Sequence, residues 1–535
     1  MAAWIEAAAE RLLRHGRSLI ITLPRGRGSA SGPASRRALP HLPPEDTPIS
    51  PSRPGTLALA ARSQLAWLAV AAAAWSLALA FLPVDPDYTA GELLDHLASW
   101  RETGVLYPAL GVEPPWRVLN YPPLALLVAR ALAGLGLPEL AAGRAGNGLA
   151  LLALVGAAAA WARARGARGA ALAGTVGLLG ASFPVMYAAG QFHIELWAAA
   201  FTVAGFGLLD RGSTRRSAAL GGLALALACW SKQTQVVPAA LALAWAWRWR
   251  RPAALPATAA FALAGLVGAA GVTAAGGLEP WRHMLTYTVG TYSLANLGLQ
   301  TLSHAAPWAL LLAFVARSAS VEGRAALGDP LLWLWLGSLA WSLSAARVGS
   351  SYAYFLDLHV ATALWVGPRL FGGGAPSPSL AWRWLLAIQL VGANVGAGAA
   401  LGVNLVRLRE VERALPGVCA ALAGTASEAA PAPASVRAAI PLVLAEEVGV
   451  ARACGRRVAA HPFIMASLAR QGRWDPAPLD AAFRDGRVPA ALLAFDPRQP
   501  AGGAEGERWP PSLLRSFAEA PSVQHAGPGL WVARW

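Results

Sequence analysis

Lysine is nearly missing from this 535-residue chain: of 44 basic side chains only Lys232 is a lysine, and the rest are arginine. Charge is scarce too. Only 14% of residues are Asp, Glu, Lys or Arg against 56% hydrophobic, which excludes a water-soluble or disordered chain. The apolar residues come in blocks of about twenty, so the chain reads as a polytopic α-helical membrane protein. Cysteine is rare. Cys229, Cys419 and Cys454 lack metal-ligand spacing, and at most Cys419 and Cys454 could share a compartment and form a disulfide. No repeat, phosphate-cradling Gly loop or nucleophile elbow is present, which argues against ATP-driven chemistry. The net charge of +15 would point to nucleic acid if the arginines clustered on a soluble face. They fall between hydrophobic blocks or in the N-terminal tail, so no nucleic-acid partner is expected and membrane topology explains the charge.

Residues 1–63, rich in Arg, Pro, Ser and Gly, read as a disordered cytoplasmic tail. Residues 64–403 form a transmembrane domain of about eleven helices, the first running from Gln64 to Pro83 and the others lying between 144 and 403. The first loop, 84–143, contains the apolar stretch "NYPPLALLVARALAGLGLPELAAG". If that stretch crossed the membrane, the arginine-rich turns at 163–168, 211–216 and 248–251 would all lie outside; Arg130 in its middle also argues for an interfacial segment. In this register "DPDY", "GQFHIE", "WSKQTQ", the 279–300 loop and "RVGSSYAYFLDL" end on one membrane face and read as a single site. Residues 404–535, with strand-like runs between helical segments, read as a small α/β domain on the extracytoplasmic side.

Three constellations carry chemistry. Asp85 and Asp87 stand where the first span meets water. They could simply end the helix; the functional reading makes one a general base, with basicity raised by partial desolvation at the bilayer edge. "QFHIE" sets His193 and Glu195 two residues apart. A lone imidazole there is most simply an interfacial side chain, whereas Glu195 could orient an acceptor or share a divalent cation with Asp87. "WSKQTQ" keeps the one lysine inside an apolar run. Snorkelling would explain a cation, yet arginine serves everywhere else in the chain. A compact, rotatable ammonium suits a phosphate oxygen in a tight site better than a planar guanidinium does, and Gln233 and Thr234 add donors beside it.

In order and spacing, "DYTAGELLDH", "GVLYP", "NYPPLALL", the acid near the end of the third span, "SKQT" and "GSSYAYFLDL" resemble a bacterial family of GT-C-type integral membrane glycosyltransferases. These are similar to the protein mannosyltransferases and the aminoarabinose transferase of lipid A. The resemblance covers roughly residues 64–370, and "FIMASLARQGRWDPAPL" is similar to the family's tail. It implies a GT-C-like fold in the bacterial inner membrane, a polyprenyl-phosphate-linked sugar donor, and a lipid, glycan or protein acceptor met at the periplasmic face. It implies Asp87 as catalytic base with Asp85 as neighbour, Glu195 as the second catalytic carboxylate, and Tyr121, His193, Lys232, Gln233, Tyr354 and Asp357 as substrate contacts. Lys232 would hold the carrier phosphate, and Arg347 adds a second cation for it. The chain departs from the family at Ala90, where an acid is usual, at His193 for Arg, at Glu195 for Asp, and at Ala353 and Asp357, which replace Asn and Glu. No cofactor is certain, and a divalent cation stays open.

A transporter or flippase of a lipid-linked or anionic solute is the alternative, but it would place its ionisable groups near the bilayer midplane on paired repeats. The register makes a direct prediction. A topology reporter fused after Gly402 should read out as extracytoplasmic, and a cytoplasmic signal would refute the arrangement.

Overall fold

The computed structural model describes residues 56–85, 87–212, 214–288, 290–371, 380–423, 442–499 and 508–535. Residues 1–55 of the expected tail lie outside them. Helix α1 (Thr56–Ala80) starts ahead of the expected Gln64, because "TLALAARS" is mostly strong helix formers. There follow α2 (Tyr88–Thr103), α3 (Leu124–Gly134), α4 (Glu139–Ala164), α5 (Gly169–Gly177), α6 (Phe183–Ala189), α7 (Glu195–Arg211), α8 (Arg215–Ser231) and α9 (Val236–Trp249). Then come α10 (Arg251–Gly276), α11 (Leu294–Gln300), α12 (Ala309–Glu322), α13 (Pro330–Ser342), α14 (Leu356–Phe371) and the 44-residue α15 (Leu380–Ala423).

Among the described residues five helices are long and apolar enough to cross a membrane, or six if one bent pair is a single span. The expected count of about eleven is not reached, and the reason is length. Helices α7 and α8 have 17 residues each and α9 has 14, short of the ~20 that a straight helix needs across the hydrocarbon core. The bend of 76° before α6 has a local cause. Ser182 Oγ accepts the Val185 N–H at 3.4 Å, and Pro184 has no N–H to continue the helix. Helices α8 and α10 approach closely at Gly222, where any side chain would collide with the Ala257 carbonyl.

Beyond α15 the chain forms a five-stranded mixed sheet. Strands β1 (Leu442–Ala445), β2 (Arg457–Val458), β3 (Ala490–Leu493), β4 (Ser522–Gly527) and β5 (Leu530–Arg534) lie in the order β2-β1-β3-β5-β4. The first three are parallel, and the pairs β3-β5 and β5-β4 are antiparallel. Helices α16 (Val448–Ala453), α17 (Pro462–Arg470), α18 (Ala477–Arg484) and α19 (Pro511–Glu519) connect them. Alternation along β1 and β3 turns Leu444, Ala491 and Leu493 toward Ile464, Phe483 and Phe517 of these helices. The opposite face, with Val443, Ala445 and Leu492, meets Val411, Val418 and Leu422 at the end of α15. The boundary expected at residue 404 thus falls inside one continuous helix, and the Cys419–Cys454 disulfide ties that helix to the sheet's first connection.

The first loop is fastened to the sheet as firmly as α15 is. Trp116 bridges Ala460 like a short parallel strand, its N–H donating to the Ala459 carbonyl at 2.6 Å. Asp95, on the inner face of α2, is wholly buried and takes Arg117 at 3.0 Å, Arg452 at 2.9 Å and His461 at 3.0 Å. Those partners hold its carboxyl far below the usual carboxylate range, although burial alone would raise it. Close approach completes the seam: any side chain at Gly449, in α16, would collide with the Asp85 carbonyl. Removing one partner of a buried ion pair costs about 3–5 kcal/mol. Asp95→Asn should therefore lower the Tm of the purified protein markedly, and an unchanged Tm would show that the network does not hold the loop to the sheet.

Candidate active site

The first loop, the start of α7, the break between α8 and α9, the 347–354 segment ahead of α14, and Phe463, Ile464 and Arg508 surround one polar cavity of about 370 Å³. Eight of the ten candidate residues line it, namely Asp87, Tyr121, His193, Glu195, Lys232, Gln233, Arg347 and Tyr354. Asp87 caps α2, its Oδ1 accepting the Ala90 N–H at 3.0 Å, so the start of that helix fixes the carboxylate. His193 stands between two carboxylates: Nε2 is 3.3 Å from Asp87 and Nδ1 is 3.4 Å from Glu195. The hydroxyls of Tyr352, 3.1 Å from His193 Nε2, and of Tyr187, 3.4 Å from Asp87, close the other side.

Glu195 opens α7 and accepts a hydrogen bond from Lys232 Nζ at 3.1 Å. The polar "SKQTQ" run breaks the helix between α8 and α9, so Lys232 has an extended backbone and its ammonium sits 5.3 Å from the centre of the Tyr354 ring. Gln233 donates to the Asn120 carbonyl at 2.7 Å, which fastens this break to the "NYPP" turn. The charges alternate in sign along the wall: Asp87, His193, Glu195, Lys232. Arg347 lines the same cavity and has no carboxylate partner among the described residues.

Asp85 and Asp357 stand behind the cavity rather than in it. Asp85 lies 3.8 Å from Arg144, whose guanidinium also donates to the Leu82 and Val84 carbonyls at the end of α1. Asp357 accepts from Gln235 Nε2 at 2.6 Å and so braces the segment that carries Lys232.

The expected raised basicity falls on a different residue. Burial pushes Asp85 up to about 6, against the pull of Arg144. Burial also acts to raise Asp87, but the adjacent His193 outweighs it and leaves the carboxyl below its usual range. His193 responds in kind. Burial would lower it, and the carboxylates of Asp87 and Glu195 lift it to about 10.

Of the lining residues outside the ten candidates, four bear on the chemistry or the packing of the cavity. Tyr88 and Glu92 lie in the same "DYTAGELLDH" string as Asp87, Phe463 comes from α17, and Arg508 stands just ahead of α19. Glu92 was within reach of the sequence, since Tyr88 and Glu92 stand four apart on one helix face. Phe463 and Arg508 carry no local signal, because only tertiary packing brings them here. Among the described residues no group of three or more His, Cys, Asp or Glu side chains is placed to hold a metal ion.

An apolar groove of about 820 Å³ adjoins the cavity, between α3, α8 and α10. Leu220, Leu223 and Leu227 of α8 face Leu263 and Val267 of α10 across it. Its lining includes Pro123 and Trp230, each two residues from a cavity residue, Tyr121 and Lys232 respectively.

Comparison with solved structures places this architecture. Over 88% of the chain and 97% of the other protein, it superposes on ArnT from Cupriavidus metallidurans bound to undecaprenyl phosphate, with a TM-score of 0.58 at 16% identity. The chain has the GT-C fold. The apo form of the same ArnT, an aminoarabinose transferase, gives a TM-score of 0.57 at 14% identity over the same shares of the two chains. The oligosaccharyltransferase AglB from Archaeoglobus fulgidus, solved with an inhibitory peptide and a dolichol-phosphate, covers 80% of this chain and 69% of its own at a TM-score of 0.46 and 11% identity. No protein-family model and no curated protein sequence matches the chain.

The His193 environment sets a pH dependence. A folded-state pKa raised from 6.5 to about 10 stabilises the fold fully below 6.5, and that contribution is lost as pH rises toward 10. The Tm gap between wild type and His193→Gln should therefore be widest near about pH 6 and close by about pH 10. A gap that widens with pH would contradict the ion pairs.

Proposed function

We propose that this chain is a membrane glycosyltransferase that moves a sugar from a polyprenyl-phosphate carrier to an acceptor hydroxyl, at the periplasmic face of the bacterial inner membrane. The observation that carries the reading is the charge balance of the cavity. Asp87, His193, Glu195 and Lys232 cancel in pairs; of the other charged lining residues Glu92 faces His461, Arg508 lies 3.7 Å from Glu446, and Arg347 has no carboxylate partner among the described residues. A phosphate supplies the missing negative charge. Lys232 uses one of its three N–H donors on Glu195 and has others for phosphate oxygens. The apolar groove two residues away suits an isoprenoid tail, which has to stay in the bilayer while the sugar meets water. The likeness to an ArnT structure bound to undecaprenyl phosphate supports the same donor class. A disulfide between α15 and the sheet supports an oxidising compartment for that end of the molecule.

In this reading the acceptor oxygen attacks the anomeric carbon with inversion, and the phosphate leaves with the bonding electrons. Lys232 and Arg347 stabilise the charge that develops on the phosphate. Asp87, kept anionic by His193, accepts the hydrogen bond of the attacking hydroxyl and orients it. Glu195 positions both His193 and Lys232, and Gln233 and Tyr121 frame the donor from the first-loop side.

Purified protein in lipid, given radiolabelled polyprenyl-phosphate sugars and a panel of acceptors, tests this. Asp87→Asn and Lys232→Ala should each lose on the order of 10²-fold or more in transfer. Lys232→Arg should also impair it, since a planar guanidinium does not fit between Glu195 and Tyr354 as an ammonium does. Wild-type transfer by Asp87→Asn and Lys232→Ala would defeat the assignment.

A further inference from the structure

Transfer to a hydroxyl releases a proton, and that proton needs a resting place at neutral pH. Asp87 is ill suited to be it. His193 at 3.3 Å, the Ala90 N–H at 3.0 Å and the Tyr187 hydroxyl at 3.4 Å all favour its anion. Glu92 lies on the same helix and lines the same cavity, in opposite surroundings. No arginine or lysine pairs with it among the described residues. Its one ion-pair contact is His461 Nδ1 at 3.7 Å, and its Oε1 is buried without a hydrogen-bond partner. Tyr88, one turn back, shares its hydroxyl with Glu92 and accepts the Phe463 N–H at 3.2 Å.

His461 is wholly buried between α2 and the sheet. Its Nε2 lies 3.0 Å from Asp95 Oδ2, and Arg117 and Arg452 fix Asp95 as a carboxylate. A carboxylate can only accept, so Nε2 carries a hydrogen and donates it. In the neutral ring Nδ1 is then the lone-pair nitrogen, and it faces Glu92 with no hydrogen-bond partner. The line Asp95, His461, Glu92 is thus an orienting carboxylate, an imidazole of fixed tautomer and a carboxyl group that opens on the cavity.

Resting on the transferase reading above, we propose that Glu92, backed by His461 and Asp95, takes the proton of the acceptor hydroxyl. The acceptor O–H bond breaks as its oxygen bonds to the anomeric carbon; the bond from that carbon to the phosphate oxygen breaks, the electron pair leaves with the phosphate, and the proton converts the Glu92 carboxylate to the acid. His461 Nδ1 can then share that proton. The groups facing Glu92 are Tyr88, Asp87 and Asp95 from the first loop and His461 from the start of α17, with Arg508 on the cavity wall. Burial pushes Glu92 up to about 7, so it can both accept and release a proton near neutrality.

The test compares wild type, Glu92→Gln and Glu92→Asp in lipid nanodiscs. With a polyprenyl-phosphate sugar donor, Glu92→Gln should lose roughly 10²-fold in kcat at unchanged donor KM and lose the acid limb that wild type shows near about pH 7, while Glu92→Asp recovers part of the rate. In infrared difference titration, wild type should show a carboxyl band titrating near about pH 7 that Glu92→Gln lacks. A Glu92→Gln variant that transfers like wild type overturns the proposal and leaves the transferase reading standing. A wild-type spectrum without that band also overturns it, whatever the rates. Wild-type protein that transfers from no polyprenyl-phosphate donor overturns the transferase reading and this proposal together.

Discussion

A buried charge must be paired, and in this protein that requirement fixes where three helices end. Asp87 begins α2, Glu195 begins α7 and Lys232 ends α8. With His193 between them, each charge lies 3.1–3.4 Å from an opposite one. Pulling any one helix end away would strand two charges in a poorly solvated wall, at a cost of several kcal/mol for each. The cavity's shape follows from that constraint: its polar wall is the line of contacts, and the surplus cation Arg347 stands where the line has no further member.

A second charge centre, around Asp95, does for the sheet what the first does for the membrane helices. The two are linked by α2, which carries Asp87 at its N-cap and Asp95 about 12 Å further along its axis. A single helix thus takes part in both networks. This is why Phe463 and Arg508, from the segments that connect the strands, reach the same cavity as residues of the membrane helices.

Much of this was legible in the chain itself. Apolar blocks interrupted by polar strings located the helices, and arginine placement put the strings "DPDY", "QFHIE" and "SKQTQ" at one end, where the structure gathers them. Residues within one string were found because type and spacing are local signals. What was missed depends on neighbours far away in sequence. The basicity expected of Asp87 is reversed by His193, a partner that the string around Asp87 does not contain. The buried setting of Glu92 depends on His461, and the length of α15 on a sheet that gives its last turns an apolar surface to cover. The expected count of about eleven spans exceeds the five or six helices that meet the length for a crossing among the described residues, because apolar composition does not reveal that α7, α8 and α9 have 17, 17 and 14 residues.

The Asp95 network also has a meaning in time. Asp95 emerges early from the ribosome, yet Arg452 follows 357 residues later and His461 follows 366 residues later. At 5–20 residues per second that is a wait of roughly 20–70 s. During it Asp95 has neither of these partners, and of its ion-pair arginines only Arg117 has been made. The contacts of Asp95 with Arg452 and His461 are therefore completed late, once the part of the chain that carries the sheet has been made.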